Sequence, residues 1–467
     1  MSSSLNKTIP VLLTLPLSML FGCALQAPPD SASLRGQAVP ALEGQRTWAN
    51  AAEAGEPAGD WLASFGDAEL QRLAREAIAH NGDLRLAAVR VEQAQALVTM
   101  QSSGLLPSAG VKGRAGHSET QFLSIGASWE IDLWGRIRAQ SRAAKSQYAA
   151  TADEYLWAQR VVAAATAKAW FTLIRSAKLE DRQRQAVAIQ EQLVQITERR
   201  VAIGAAPDTE LVEAKNALRT QVDSLRKAEL ARSQAAQALE LLLGRYPAGE
   251  IGDGDSVAKL ELPAMPVAPQ AGLPADLLDR RPDLTAAAHR VAAAFDLRQS
   301  AEAARLPSIS ISAAITGIRS DVLLLNQAGT PIKGLNGAIF APLFTGGELK
   351  ARADYYSAEQ KAAMIAYGNS ALQALGEVDA GLRAESNLAD RTRQLQDRVN
   401  ESQLLVQREE ARVSIGASDP RGVLKARQTL LAAEMNLINV RGDHLNQRIA
   451  LLLALGGDWS GRTRESA

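Results

Sequence analysis

The stretch SWEIDLWGRIRAQ, residues 128–140, changes its period midway. Trp129, Ile131 and Leu133 alternate with Ser128, Glu130 and Asp132, as in a strand with one apolar face. Gly135 breaks the alternation. From Arg136 to Ile203 the chain then runs 68 residues without Gly or Pro, which predicts a strand feeding directly into one very long helix. A helix of that length rises ~100 Å and is stable only with an apolar stripe packed along it. Ala186, Ile189, Leu193, Ile196 and Ile203 recur at helical steps and supply such a stripe.

The same plan occurs twice. NGDLRLAAVRV (81–91) matches RPDLTAAAHRV (281–291), and LLPS (105–108) matches RLPS (305–308), both at an offset of 200. VAIGAAPD (201–208) matches VSIGASDP (413–420), and the glycines 244 and 456 match, at an offset of 212. One net insertion of 12 residues therefore lies between Pro307 and the end of the second hairpin region. Each repeat reads as a helix of about 33 to 39 residues ending near Pro107 or Pro307, a pair of strands, a 68-residue helix (136–203 or 348–415), a tight turn with Gly204 and Pro207 or Gly416 and Pro420, and a returning helix of about 36 residues. Leu388, Leu395, Val399, Val406 and Val413 keep seven-residue phase in the second long segment, where Gly368, Gly376 and Gly381 predict a bend or break. The shorter helices of each half, stacked end to end, are long enough to line the long one. Stretches 24–66 and 245–273, rich in Pro, Gly and Ala, read as irregular linkers on the outside.

Strands are expected near 108–116, 124–133, 308–317 and 335–344. Each alternates apolar with polar or small residues over about ten positions, enough to cross a bilayer when tilted. Four strands leave two open edges, which hydrocarbon does not tolerate, and bacterial barrels start at about eight strands. Several chains must then share one barrel. The competing reading is a small soluble sheet.

The first 22 residues read as a signal peptide: Lys7, then the largely apolar run IPVLLTLPLSMLF of 13 residues, too short for a spanning helix. The run ends at Cys23, the single cysteine, so no internal disulfide framework exists. Leu20, Gly22 and Cys23 resemble a bacterial lipoprotein signal, with Phe21 bulkier than that pattern usually has. The resemblance implies lipidation of Cys23, and Ala24 in place of Asp implies sorting to the outer membrane. Beyond residue 23 no apolar stretch approaches a spanning helix.

Lys plus Arg and Asp plus Glu both number 51, so charge gives no case for nucleic acid. His80, His117, His289 and His444 stand in no ligand spacing, and no CxxC, GxSxG or phosphate-loop motif occurs. Neither a catalytic site, a metal site nor a cofactor is expected. The residues singled out lie at the two hairpin turns: Asp208, Glu210 and Glu213 in GAAPDTELVEA, and Asp419, Arg421 and Lys425 in GASDPRGVLKA. Asp419 before Pro420 predicts a helix N-cap, and Asp208 after Pro207 the same. The opposite charges, in the first turns of equivalent helices, are candidates for pairing between hairpins. The loop near 319–333 holds most of the insertion and is expected to face the exterior.

DWLASFGDAELQRLAREAIAHNGDLRLAAVRVEQAQA (60–96), ASWEIDLWGRIRA (127–139), LPADLLDRRPDLTAAAHRV (273–291), PLFTGGELKA (342–351) and LALGGDW (453–459) together resemble the TolC- and OprM-like outer-membrane efflux proteins, in their lipoprotein (NodT-type) branch. The likeness covers nearly all of residues 60–460. It implies a mostly α fold with a membrane β-barrel part: a homotrimer with four strands per chain in a 12-stranded barrel, continued by a long coiled-coil-like α-helical barrel across the periplasm. It implies a passive exit duct for drugs or other small toxic compounds, working with a periplasmic adaptor and an inner-membrane pump of RND type. In that family the tips close the tunnel, which makes the six charged residues gate candidates. The second hairpin's returning helix often carries acidic residues in relatives, where this chain has Gly422 and Lys425. A duct for heavy metals or for type I protein secretion, or a pore-less periplasmic scaffold lipoprotein, are the alternatives. The expected division is signal peptide 1–22, lipidated linker 23–66, first repeat 67–244, linker 245–273, second repeat 274–456 and tail 457–467.

Overall fold

The computed structural model describes residues 26–42, 47–50, 59–116, 120–252, 257, 259–320 and 331–459. In chain order the regular elements are helices α1 (Ser31–Ala38), α2 (Ala68–His80) and α3 (Gly82–Ser103), strands β1 (Ser108–Arg114) and β2 (Thr120–Ile131), helices α4 (Arg136–Ala202), α5 (Asp208–Leu242), α6 (Leu277–Arg280) and α7 (Pro282–Ala303), strands β3 (Ser308–Ser320) and β4 (Ile332–Phe340), and helices α8 (Glu348–Ser414) and α9 (Pro420–Ala454). Two compact units divide the chain. One takes in residues 93–149 and 289–365 with the segment ending at Leu34; the other takes in 35–92, 150–288 and the chain from 366 onward.

The strand unit holds one antiparallel sheet in the order β1-β2-β3-β4, so the two repeats meet at β2·β3. Its register sets like against like: Trp129 faces Ile311, Ile125 faces Ile315, Ile309 faces Ile339 and Val111 faces Ile125. On the opposite face Ser124 and Thr316 share a hydrogen bond of 2.8 Å, and Ser108 and Ser128 one of 3.0 Å. Among the described residues nothing covers the apolar face: Val111, Leu123, Ile125, Ile315, Leu335 and Ile339 are all exposed. β1 and β4 each have one edge that is unpaired among the described residues.

The strands keep their expected places but not their bounds: β1 ends earlier, at Arg114, β2 begins earlier, at Thr120, and β3 runs on to Ser320. β2 ends at Ile131, because the Asp132 carboxylate turns to accept the N–H groups of Ile137 (2.9 Å) and Arg138 (2.8 Å), capping α4. Leu133 therefore lies beyond the strand. β4 begins and ends earlier than 335–344, and its register places Phe340 opposite Ser308.

The long helices α4 and α8 are 67 residues each, and the returning helices α5 and α9 are 35 each. Their turns match. Gly204 and Gly416 take φ of 72° and 73°, and the N–H groups of Ala205 and Ala417 donate back to the carbonyls of Arg200 and Arg412 at 2.8 Å. α8 runs through Gly368, Gly376 and Gly381 with no break in the helix, so of the bend or break expected there the break does not occur. Two of these glycines serve close packing instead: a Cβ on Gly368 would meet the Ala38 carbonyl oxygen at 2.5 Å, and one on Gly381 would meet Leu451 at 3.0 Å.

The single helix expected before each hairpin is divided. Asn81 separates α2 from α3, its side chain accepting the N–H groups of Asp83 (3.0 Å) and Leu84 (3.2 Å). In the second repeat the one-turn α6 ends at Arg280, Arg281 is its extended C-cap, and Pro282 opens α7. The segment 24–66, read as irregular, contains α1 and short 3-10 turns at Pro40–Leu42 and Ala63–Phe65.

In the helical unit, Trp170, Phe171, Leu173 and Ile174 of α4 are buried with Leu70 and Leu73 of α2, Leu239 of α5 and Leu445, Ile449 and Leu452 of α9. Val399 of α8 is buried with Ala433, Leu437 and Val440 of α9, and Leu388 and Leu395 pack on that cluster. Ala186 and Leu193 of the first stripe are buried, but Ile203 at its end is 79% exposed. The 245–273 segment is tied down by charge: the buried Glu240 carboxylate accepts three successive N–H groups, of Gly249, Glu250 and Ile251, and Arg448 donates to the carbonyls of Pro266 and Val267.

Candidate functional site

The sequence directs attention to the two hairpin turns, α4–α5 and α8–α9. Asp419 is the N-cap of α9, accepting the Arg421 N–H at 2.8 Å, with Pro420 at the first helical position. Asp208 does not do the same. Pro207 is the N-cap of α5, without a side-chain bond, and Asp208 is the first helical residue, its carboxylate near the positive end of the helix.

The returning helices place Glu210 and Arg421 in their first turns, and the two meet across the hairpins at 2.6 Å. The same guanidinium reaches the Asp419 carboxylate at 3.0 Å. Arg200, in the last turn of α4, reaches Asp419 at 3.2 Å. Asp419 thus receives a backbone N–H and two cations, and these hold its carboxyl below the usual aspartate range, the Arg421 N–H foremost. The pairs are partly exposed, with Arg421 at 22% and Glu210 at 35%. Glu213 and Lys425 are exposed and have no side-chain partner among the described residues.

Four contacts here escaped the sequence reading. Arg200 was legible as a cation in a helix's last turn. Glu409 accepts from Ser418 at 3.0 Å and sits 2.9 Å from where a Cβ on Gly422 would be, so a side chain at 422 meets the Glu409 carboxylate. Further along, Gln190 and Gln428 join α4 to α9 at 2.7 Å, and Arg182 pairs with Glu434 at 2.8 Å. Nothing in the spacing of either sequence segment announces those partners. Ile203 and Ile415, equivalent positions of the two repeats, are both exposed at the turns.

Cys23 and His117 lie outside the described residues, as does most of the 319–333 loop. His444 is buried, 2.7 Å from a Glu385 carboxylate that Arg448 also contacts. The His444 and Arg448 bonds hold the Glu385 pKa down against burial, which alone would raise it. Among the described residues no group of His, Cys, Asp and Glu is set to hold a metal, and no helix is long and apolar enough to cross a membrane.

Comparison with known proteins bears on the whole chain. The outer membrane efflux protein family matches residues 73–245 and 273–457, the two repeats. The chain is similar to the toluene efflux pump outer membrane protein TtgF of Pseudomonas putida, at 28% identity over 86% of this chain and 85% of that one. It is similar to the cation efflux system protein CusC of Escherichia coli, at 27% identity over 88% and 90%. The CmeC outer membrane channel of Campylobacter jejuni shares the fold, with a TM-score of 0.76 at 22% identity over 88% and 90% of the two chains. Duplicated long hairpins, a four-stranded sheet with a bare apolar face and a match over both repeats lead to one conclusion: the chain belongs to the outer membrane efflux protein family, whose members are channels of the outer membrane and not enzymes.

Proposed function

We propose that the protein is the passive exit duct of a tripartite efflux system and that it exports drugs or other small toxic compounds. The observation that carries this reading is the sheet: an uncovered apolar face beside two unpaired edges. Lipid satisfies the face, and only a closed ring of strands satisfies the edges. Three copies supply a 12-stranded barrel. The long hairpins then extend into the periplasm, where the exposed Ile203 and Ile415 offer apolar contacts to a periplasmic adaptor coupled to an inner-membrane pump of RND type. Cys23, freed by removal of residues 1–22, carries an acyl anchor in the same membrane. The likeness to a cation efflux protein makes metal ions the competing cargo.

At the tips, Glu210–Arg421 and Arg200–Asp419 bridge the two hairpins of one chain. We assign these pairs to holding the tunnel closed until an adaptor binds, with Asp208, Glu213 and Lys425 contributing field rather than contact. Purified protein in a planar bilayer is expected to give discrete conductance steps. Membranes that stay free of leak at every voltage support the scaffold reading instead.

A further inference from the structure

A cavity of about 610 Å³ lies away from the tips, in the helical unit, and no part of the duct reading uses it. Its walls include Trp157 and Lys168 of α4, Gln373 of α8, and Gln447, Ala450 and Leu451 of α9. The charges around it are not equivalent. Arg281 lies 4.8 Å over the Trp157 ring and is already spent: it donates to Asp283 at 2.7 Å, to Glu377 at 2.7 Å and to the Ala454 carbonyl. Glu377 is held by that guanidinium and by the Gln373 amide at 3.1 Å. Lys168 is different. It is half-buried and lines the cavity, yet its ammonium has neither a hydrogen bond nor an ion pair among the described residues. Burial pushes its pKa down, with no anion to offset it.

We infer that this cavity is a binding site for a small organic anion with an apolar body, its charge received by Lys168. The Ala and Leu side chains of α8 and α9 supply the apolar wall, and the Gln447 amide, bonded only weakly to the Gly381 carbonyl at 3.4 Å, is a further donor within the wall. A carboxylate from a neighbouring copy is the rival occupant: side-chain bonds give the helix order α5–α4–α9–α8 within the unit, so α4, which carries Lys168, is interior, while α8, which also lines the cavity, is a flank. Among the described residues the 245–273 linker does not cover the cavity. At 3.6 residues per turn, Gln447, Ala450, Leu451 and Ala454 lie on the side of α9 opposite Leu445, Ile449 and Leu452, the side that packs with linker residues Ile251, Leu262 and Met265. Binding itself goes beyond the duct reading; that the anion is cargo of the duct rests on it.

The test titrates naphthalene sulfonate into full-length protein in lipid nanodiscs by calorimetry, with empty nanodiscs subtracted and uncharged naphthalene methanol in parallel. The sulfonate is expected to bind the parent protein. Lys168→Met is expected to weaken it about tenfold or more, the factor for one charge-assisted hydrogen bond, and Lys168→Arg to retain it. The methanol is expected to show no dependence on residue 168. Ala450→Phe occupies part of the cavity without altering charge and should also weaken the sulfonate. Absence of binding by the parent, or equal binding by Lys168→Met or by Ala450→Phe, overturns the site. Unchanged sulfonate binding with a loss of oligomer stability in Lys168→Met overturns it too, and identifies an intersubunit partner for Lys168. Conductance measured on the same preparation separates the two claims: protein that conducts without binding sinks only the site, and protein that binds without conducting sinks only the duct.

Discussion

Arg421 carries more of the tip than any other side chain, because one guanidinium joins a carboxylate of its own turn, Asp419, to Glu210 of the other hairpin. Partly exposed pairs of this kind contribute ~0.2–1 kcal/mol each. Repeated in three copies they reach ~1–3 kcal/mol, a bias of roughly 5- to 150-fold toward a closed tip. Arg421→Ser with Lys425→Ser is accordingly expected to raise open probability or single-channel conductance, and high salt to do the same to the parent protein. Unchanged opening under both treatments leaves apolar packing as the closure. The pH response follows from Asp419. Its pKa is lowered on folding, so its contribution is complete above the ordinary aspartate range and is lost only as pH falls through the lowered value. This part of the tip is expected to hold through mild acid. The Asp419 cap was readable from the Asp-Pro pair, and the sign of the Glu210–Arg421 attraction from their equivalent positions. Arg200 as the second cation on Asp419 was not, since it belongs to the other repeat and only the packing of α4 brings it there.

Among the elements, length was legible and interruption was not. A run without Gly or Pro has few ways to stop, and α4 begins and ends within one residue of where the run does. The glycines of α8 misled because a helix interior tolerates Gly when another backbone must come close. The division at Asn81 had its signal in Asn81-Gly82, and the one at Arg281 in Pro282; both were absorbed into a longer periodic pattern. α8 supplies a paired prediction. Gly376 has nothing within 4 Å of a built Cβ, whereas Gly368 faces the Ala38 carbonyl at 2.5 Å. Gly376→Ala is expected to stabilise by up to about 1 kcal/mol through helix propensity. Gly368→Ala is expected to destabilise by about 1–3 kcal/mol, because the clash is with backbone and α1 must shift. Thermal unfolding of the two proteins should move Tm in opposite directions; a rise in both shows that α1 yields freely.

At the scale of the whole molecule, the two proposed attachments to the membrane differ in kind. Acyl chains on Cys23 add affinity at ~0.8 kcal/mol per buried CH₂, while strands hold by having no other place for their apolar face. Cys23→Ser behind a cleavable signal is therefore expected to assemble and export. Recovery of that variant as a soluble monomer contradicts a membrane-inserted sheet. The repeat made the architecture readable, since each half checks the other at fixed offset; the 245–273 linker resisted reading because its order comes from charges outside it, the nearby Glu240 and the distant Arg448.

The unpaired edges of β1 and β4 also have a genetic consequence. A ring of strands closes only when every member offers a good edge, so one bad chain spoils its two good companions. In a cell expressing two alleles, the yield of intact ducts then falls as the cube of the good allele's share, not in proportion to it. A proline placed in β4 at a position whose native N–H faces a neighbour removes that donor, is harmless to the chain that carries it, and would behave as a dominant inhibitor of export.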